Sequence, residues 1–91
     1  MLERRGATVI ARNVRLGHDE IDLVVAVAGV RVAVEVKTRV GADPAGEFTP
    51  DQAFRLRRAA RALDPPATRC DLIAIIAGDT GVTLDWRRSV A

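Results

Sequence analysis

Alternating apolar and polar residues in the first half of the chain predict a β-hairpin. Residues 21–36 read as two strands, and the turn signal between them is Ala28-Gly29. If the turn is centred there, Val27 faces Val30, and every further pair of opposed residues follows from that one. The register of this hairpin can therefore be derived from the pattern alone.

The predicted register separates an aliphatic face from a charged one, because opposed residues and residues two apart share a face. It places Asp22 opposite Glu35. It also places Glu20 opposite Lys37. A slip of one residue would set these charges among aliphatic side chains. The hydrophobic pattern therefore fixes which residues of the two strands share a face of the sheet. The aliphatic face comprises Ile21, Leu23, Val25, Val27, Val30, Val32, Val34 and Val36, and the other face comprises Glu20, Asp22, Val24, Ala26, Arg31, Ala33, Glu35 and Lys37.

The remaining pattern predicts one complete helix and three further strands. Thr49 is expected as the N-cap, Pro50 as the first helical residue and Gln52 as the partner in a capping box. The helix should end at about Leu63. We predict strands at 7–14, 71–77 and 82–86, the end of a helix at 2–5, a loop at 41–48, and inward-facing helix positions at Ala53, Leu56, Ala60 and Leu63.

Size and composition are typical of one small α/β domain covering residues 1–91. The chain is 48% hydrophobic but only 3% aromatic, so its core should be built from Val, Ile, Leu and Ala. We expect a central β-sheet packed by helices, in the order helix end, three strands, helix, two strands. The single Cys70 excludes an internal disulfide and suits a reducing cytoplasm. No stretch is long and apolar enough to span a membrane, and no signal peptide is recognisable.

The predicted opposition of Asp22 and Glu35 has an energetic cost that suggests chemistry. Like charges directly opposed on a sheet destabilise it by a few tenths to ~1 kcal/mol. A proton shared between the two carboxylates would relieve this repulsion, and so would a bridging divalent cation. Oxygen ligands without nearby His or Cys favour Mg²⁺ or Mn²⁺ over zinc. The alternative is a solvated sheet edge at which the two charges point apart.

Lys37 is the one lysine among fourteen basic residues. An ammonium group is compact, loses its proton when partly desolvated, and approaches a water or phosphate oxygen as a point charge, none of which a guanidinium does well. A lysine beside an acidic pair is typical of a metal-dependent phosphodiesterase. The alternative is that Lys37 forms an ion pair with Glu20.

Arginines at helical spacing indicate a surface for polyanions. Arg55, Arg58 and Arg61 recur along the predicted helix, and Arg12, Arg15, Arg39 and Arg69 are expected to flank the acidic face. Such residues can contact phosphates without reading base sequence. An exposed arginine-rich helix face is equally ordinary in an arginine-biased chain with a net charge of +2. The scarcity of aromatic residues argues against a single-strand-binding platform of the usual kind.

An ordered series of short motifs resembles the YraN-like family of predicted endonucleases. The resemblance covers nearly the whole chain and is more specific than any one motif. That family is similar to archaeal Holliday-junction resolvases and belongs to the PD-(D/E)XK nuclease superfamily. The motifs are Leu2-Glu3-Arg4-Arg5-Gly6, Ala11-Arg12-Asn13-Val14-Arg15, Glu20-Ile21-Asp22-Leu23-Val24, Val34-Glu35-Val36-Lys37-Thr38-Arg39, Thr49-Pro50 and Arg69-Cys70-Asp71.

The resemblance implies a restriction-endonuclease-like fold, in which a small mixed central β-sheet is flanked by helices. It also implies roles for individual residues. Asp22 and Glu35 match the metal-binding carboxylates of the family, and the carbonyl of Val36 matches a further metal ligand. Lys37 matches the catalytic lysine. Glu20 matches a characteristic acidic position, and Gln52 stands near a place where related nucleases use glutamine to complete the site.

Three departures from the family pattern bear on these roles. The family usually opens with a longer helix that carries another glutamate, whereas this chain begins near the end of that helix. Either the start is placed too late or the chain is a reduced member with a truncated first helix. A family lysine after Thr-Pro is Gln52 here, and the glycine before Glu-Ile-Asp is Asp19.

The function expected from these observations is Mg²⁺- or Mn²⁺-dependent hydrolysis of phosphodiester bonds in DNA, in particular branched or structured DNA. Paired cuts on a junction need two active centres, which favours a homodimer. The competing expectation is a non-catalytic nucleic-acid-binding or assembly module that keeps the nuclease scaffold.

Overall fold

The computed structural model describes residues 6–41 and 48–91 and contains, within them, a five-stranded mixed sheet and one helix. The strands lie in chain order; the neighbouring third and fourth strands are parallel, and all other neighbours are antiparallel. This arrangement confirms the predicted order of three strands, helix and two strands and is consistent with a small nuclease-like fold. The elements are β1 (Ala7–Leu16), β2 (Asp19–Val27), β3 (Val30–Val40), α1 (Pro50–Ala62), β4 (Arg69–Gly78) and β5 (Gly81–Arg87).

Two predicted features lie outside the described residues: the end of the first helix at 2–5 and most of the loop at 41–48. Among the described residues α1 supplies the crossover that parallel strands require, and it connects β3 to β4. It is too short and too polar to cross a membrane, and no other helix occurs in this part of the chain.

The hairpin of β2 and β3 forms with the predicted turn and register. Ala28 and Gly29 both have positive φ angles, 49° and 80°, as a two-residue turn that matches the twist of the strands requires. The paired residues run from Val27 with Val30 to Leu23 with Val34. The hydrophobic pattern therefore identified the correct register.

Helix α1 begins and ends where its capping signals predicted. The Thr49 side chain accepts a hydrogen bond from the Gln52 backbone N–H, and the Gln52 side chain accepts one from the Thr49 N–H. This reciprocal pair satisfies two of the N–H groups that a helix start leaves without partners. The helix buries Leu56, Ala59 and Ala60 against one face of the sheet, on β2, β3 and β4.

Ile21 lies on the helix side of the sheet, which corrects its predicted place on the opposite, aliphatic face. It packs in the same cluster as Val24, three residues further along β2. Alternation along the strand is broken because Asn13, on the neighbouring strand β1, has a positive φ of 51°, and the pairing of β1 with β2 omits Asn13 and Asp22. Val14 is displaced to the helix side in the same way.

The second face of the sheet contains a buried carboxylate that the predicted strands did not reveal. Asp71 has no exposed surface and accepts four hydrogen bonds, so no lone pair is buried without a partner. The Arg69 guanidinium donates two, at 3.0 and 2.8 Å, the indole of Trp86 donates one at 2.8 Å, and the Ser89 N–H donates one at 3.0 Å. These bonds fasten β4 to β5 and to the segment that follows β5.

The Asp71→Ala substitution is expected to lower the free energy of unfolding by about 3 kcal/mol or more, because it leaves a largely buried guanidinium without its carboxylate. Urea denaturation monitored by circular dichroism measures this change. The matched control is Asp79→Ala, in the exposed turn between β4 and β5, which should shift the unfolding free energy by no more than about 0.5 kcal/mol. Equal losses in both variants would contradict the role of the network.

Candidate active site

The sheet divides between β2 and β3. Their pairing ends at Leu23 and Val34, yet β2 continues along β1 as far as Asp19, and β3 continues along β4 as far as Val40. The unpaired parts of the two strands therefore separate, with the start of β2 on one side and the second half of β3 on the other. The candidate site lies in this opening.

Asp22 bridges the opening. Its Oδ2 accepts a hydrogen bond of 2.8 Å from the backbone N–H of Val36 on β3. A strand that loses its neighbour leaves backbone N–H groups that need new partners, and here a side chain takes the place of the absent strand. Asp22 and Glu35 are therefore not a pair in the sheet ladder, as the extrapolated register predicted, but their side chains still meet.

Burial and contact with Asp22 raise the pKa of Glu35. The pKa of Glu35 is raised from 4.5 to about 7, first by burial of the carboxyl group, then by a hydrogen bond with Asp22 and by the negative charge of Asp22. The positive charges of Lys37 and Arg55 act in the opposite direction. The predicted repulsion between the two acids is thus present, and near neutral pH a proton on Glu35 relieves it.

Lys37 and Glu20 lie near this pair but in different relations to it. Lys37 is half-buried on β3, two residues after Glu35, and its charge acts on the Glu35 carboxylate. Glu20 does not lie opposite Lys37 in the ladder, which has ended before this point. Its ion-pair partner among the described residues is Arg15, at 4.0 Å. Among the described residues Lys37 and Glu20 do not form an ion pair. The alternative role expected of Lys37, to neutralise Glu20, is therefore not supported.

A cavity of about 200 Å³ opens beside Glu35. Its walls come from the turn before β2, from the first residues of β2, from β3 and from the first turns of α1. Gln52 lies at this cavity as well as in the helix cap, so its two predicted roles are compatible. The lining residues are His18, Asp19, Glu20, Glu35, Gln52 and Arg55.

Asp22 lines a second cavity, of about 370 Å³, with Arg12, Asn13, Leu23 and Val36. The acidic pair is thus reached from two cavities, since Glu35 lines one of them and Asp22 the other. The sequence pattern identified Arg12 as a residue flanking the acids but missed Asn13, because its positive φ carries no local signal beyond the tolerance of asparagine for that conformation. No role at the site was predicted for His18, which lines the cavity of Glu35.

The arginines expected to bind nucleic acid occupy three different environments. Arg55 lines the cavity of Glu35 and forms an exposed ion pair of 3.1 Å with Asp51. Arg58 donates two hydrogen bonds of 2.8 Å to Asp19, which lower the pKa of that carboxyl group below its ordinary value. Arg61 is exposed on α1, and Arg39 is exposed near the end of β3.

The residues present are suited to a hard divalent cation. Within 6–41 and 48–91 no three His, Cys, Asp or Glu side chains converge on one point, so the donor set is the Asp22–Glu35 pair. Mg²⁺ is commonly held by one or two carboxylates together with waters and substrate phosphates. Burial and then contact with Asp22 raise the pKa of Glu35, and a cation would relieve the repulsion between the two carboxylates, so the pair fits it.

An acidic pair and a lysine lie at a division in the mixed sheet of this α/β domain. A family model described as "Uncharacterised protein family UPF0102" matches residues 1–75. A UPF0102 protein of Ralstonia nicotianae is 40% identical over 100 residues, covering 96% of this chain and 74% of the relative. One from Streptomyces coelicolor is 38% identical over 98 residues, covering 94% and 75%. The chain therefore belongs to the UPF0102 family, which is the YraN-like family that its motifs resemble.

In the absence of divalent ions, the raised pKa of Glu35 should make stability depend on pH. The folded protein binds more protons than the unfolded chain between pH 4.5 and about 7, so this group's contribution to stability falls as the pH rises through that window. The Glu35→Gln substitution removes this contribution, and the variant should gain stability relative to wild type above about pH 7. Urea denaturation at several pH values, with a chelator present, measures both curves. Parallel curves would contradict the interpretation.

Proposed function

We propose that this protein is a metal-dependent endonuclease that hydrolyses phosphodiester bonds in DNA. One observation carries the proposal: Asp22 and Glu35 meet in an opening of the sheet, and Lys37 acts on the same carboxylate. Two acids and a lysine in one place suit phosphodiester hydrolysis, which must neutralise a phosphate, activate a water and stabilise new negative charge. The motif resemblance to nucleases agrees with this assignment.

Asp22 and Glu35 would hold Mg²⁺ or Mn²⁺, with the Val36 carbonyl as a further ligand suggested by the family resemblance. When bound, the cation supplies Lewis acidity toward a phosphate oxygen and makes a water more acidic. Lys37 would orient or deprotonate the attacking water and stabilise charge developing on the phosphate. Glu20 and Gln52, at the cavity of Glu35, would position the water or substrate.

Positive charge near the opening supports a polyanionic substrate. Arg55 lines the cavity of Glu35, and Arg12 lines the cavity of Asp22, so phosphates on either side of the acids would meet a cation. Arg39 and Arg61 would add contacts further away, whereas Arg58 is engaged by Asp19. Branched DNA cut on two strands would need two copies of the site, for which a homodimer is the simplest assembly.

Substitution of the three central residues should abolish cleavage. We expect Asp22→Asn, Glu35→Gln and Lys37→Met each to lower the rate of cutting of a labelled branched DNA in Mg²⁺ by about 10²-fold or more. The matched control is Asp64→Asn, which removes an exposed carboxylate just after the end of α1, about 18 Å along the helix axis from Gln52, and should retain activity. Equal cutting by wild type and Glu35→Gln would assign the activity to a contaminant.

The second candidate is a nucleic-acid-binding module without catalysis. It is favoured by the small donor set, since the described residues supply two carboxylates at the site and no converging third. Calorimetric titration with Mn²⁺ separates the two functions. The endonuclease proposal expects uptake that Glu35→Gln weakens. No uptake at millimolar Mn²⁺, together with salt-sensitive DNA binding, would establish the module instead.

A further inference from the structure

The outer face of α1 contains an aromatic side chain among arginines. Phe54 is 60% exposed, an uncommon state for a large apolar side chain in a chain with so few aromatic residues. It is followed at helical spacing by Arg57, Arg58 and Arg61, which lie on the same face of the helix. These four residues line a groove of about 340 Å³, which we call the Phe54 groove.

The ring of Phe54 contacts the guanidinium group of Arg58. The guanidinium carbon of Arg58 lies 5.6 Å from the ring centroid, within the range of a cation–π contact. Arg58 is in turn fixed by its two hydrogen bonds to Asp19, whose side chain is only 10% exposed. An exposed ring that is already oriented loses little conformational entropy when a ligand stacks on it.

The other two arginines of the Phe54 groove are available for anions. Neither Arg57 nor Arg61 forms an ion pair with a described residue. Both also line a larger cavity, of about 420 Å³, near the end of the helix, where Thr68 adds a hydroxyl group. The described residues that line the groove thus present one aromatic ring and three guanidinium groups, and no carboxylate.

We propose that the Phe54 groove binds an unpaired segment of a nucleic-acid strand, with one base stacked on Phe54 and neighbouring phosphates at Arg57 and Arg61. Stacking on a side chain requires a base that is free of its partner, which a duplex does not offer. Ring and cations together match the alternation of base and phosphate along a single strand. An acidic peptide would use the arginines but not the ring.

The position of the groove connects it to the candidate active site, and in this respect the inference rests on the proposed function. Arg55, adjacent to Phe54, lines the cavity of Glu35, and the helix advances only ~9 Å from Arg55 to Arg61. A strand lying in the groove would continue into the opening of the sheet. The groove would therefore favour cleavage of DNA that has an unpaired segment beside the scissile bond.

Binding of a fluorescent oligothymidylate, measured by anisotropy in a chelator, tests the groove separately from cleavage. We expect Phe54→Ala and Phe54→Leu both to weaken binding about fivefold or more, because leucine keeps apolar bulk but has no aromatic face. Val82→Ala, which removes an exposed apolar side chain on β5, should leave affinity unchanged. Binding of a blunt duplex of equal length should be the same in wild type and both Phe54 variants.

Salt dependence tests the phosphate contacts. Arg57→Gln and Arg61→Gln should each reduce the slope of log affinity against log salt by about 0.7, whereas Arg88→Gln, beyond β5, should not. Full affinity in Phe54→Leu would overturn the stacking proposal, as would an acidic peptide that displaces the oligonucleotide equally well from wild type and Phe54→Ala. The chelator removes divalent ions from the assay, so these binding results are independent of whether the protein cuts DNA.

Discussion

The hydrogen bond between the Asp22 carboxylate and the Val36 N–H is the interaction on which the candidate site depends. It forms where β2 leaves β3, and it replaces a ladder bond by a side-chain bond. The strands can separate there without leaving this buried N–H without a partner, which would otherwise cost ~1–3 kcal/mol. The same bond holds one acid beside the other, so the opening and the acidic pair have a common cause.

The rest of the domain keeps this opening in place from both sides of the sheet. On the helix side, Val24 and Ala33 pack beneath Leu56, and Asp19 binds Arg58, so α1 is tied to the start of β2. On the other face, the Asp71 network joins β4, β5 and the following segment. The two acids therefore lie in a sheet that is held in place from both faces, and burial together with their mutual repulsion raises the pKa of Glu35.

Periodic and local signals predicted most of the fold and the members of the site, but not its detailed geometry. The turn at Ala28-Gly29 determined the register, and the Thr49 cap determined the start of α1, because both act over a few residues. The division of the sheet, the displacement of Ile21 and the bond from Arg58 to Asp19 depend on residues far apart in the chain. Extrapolating an ideal ladder past Leu23 could not reveal them.

Each of the two cavities at the opening combines carboxylate with arginine. The acids meet between the strands, where burial and contact with Asp22 raise the pKa of Glu35. The arginines line the approaches, with Arg12 at one cavity and Arg55 at the other. A phosphodiester substrate needs both, since its charge must be attracted at a distance and balanced at the reacting phosphorus. A structural ion-pair network would instead bring opposite charges together, as at Asp71, and the contrast between these two acidic centres favours a functional role for Asp22 and Glu35.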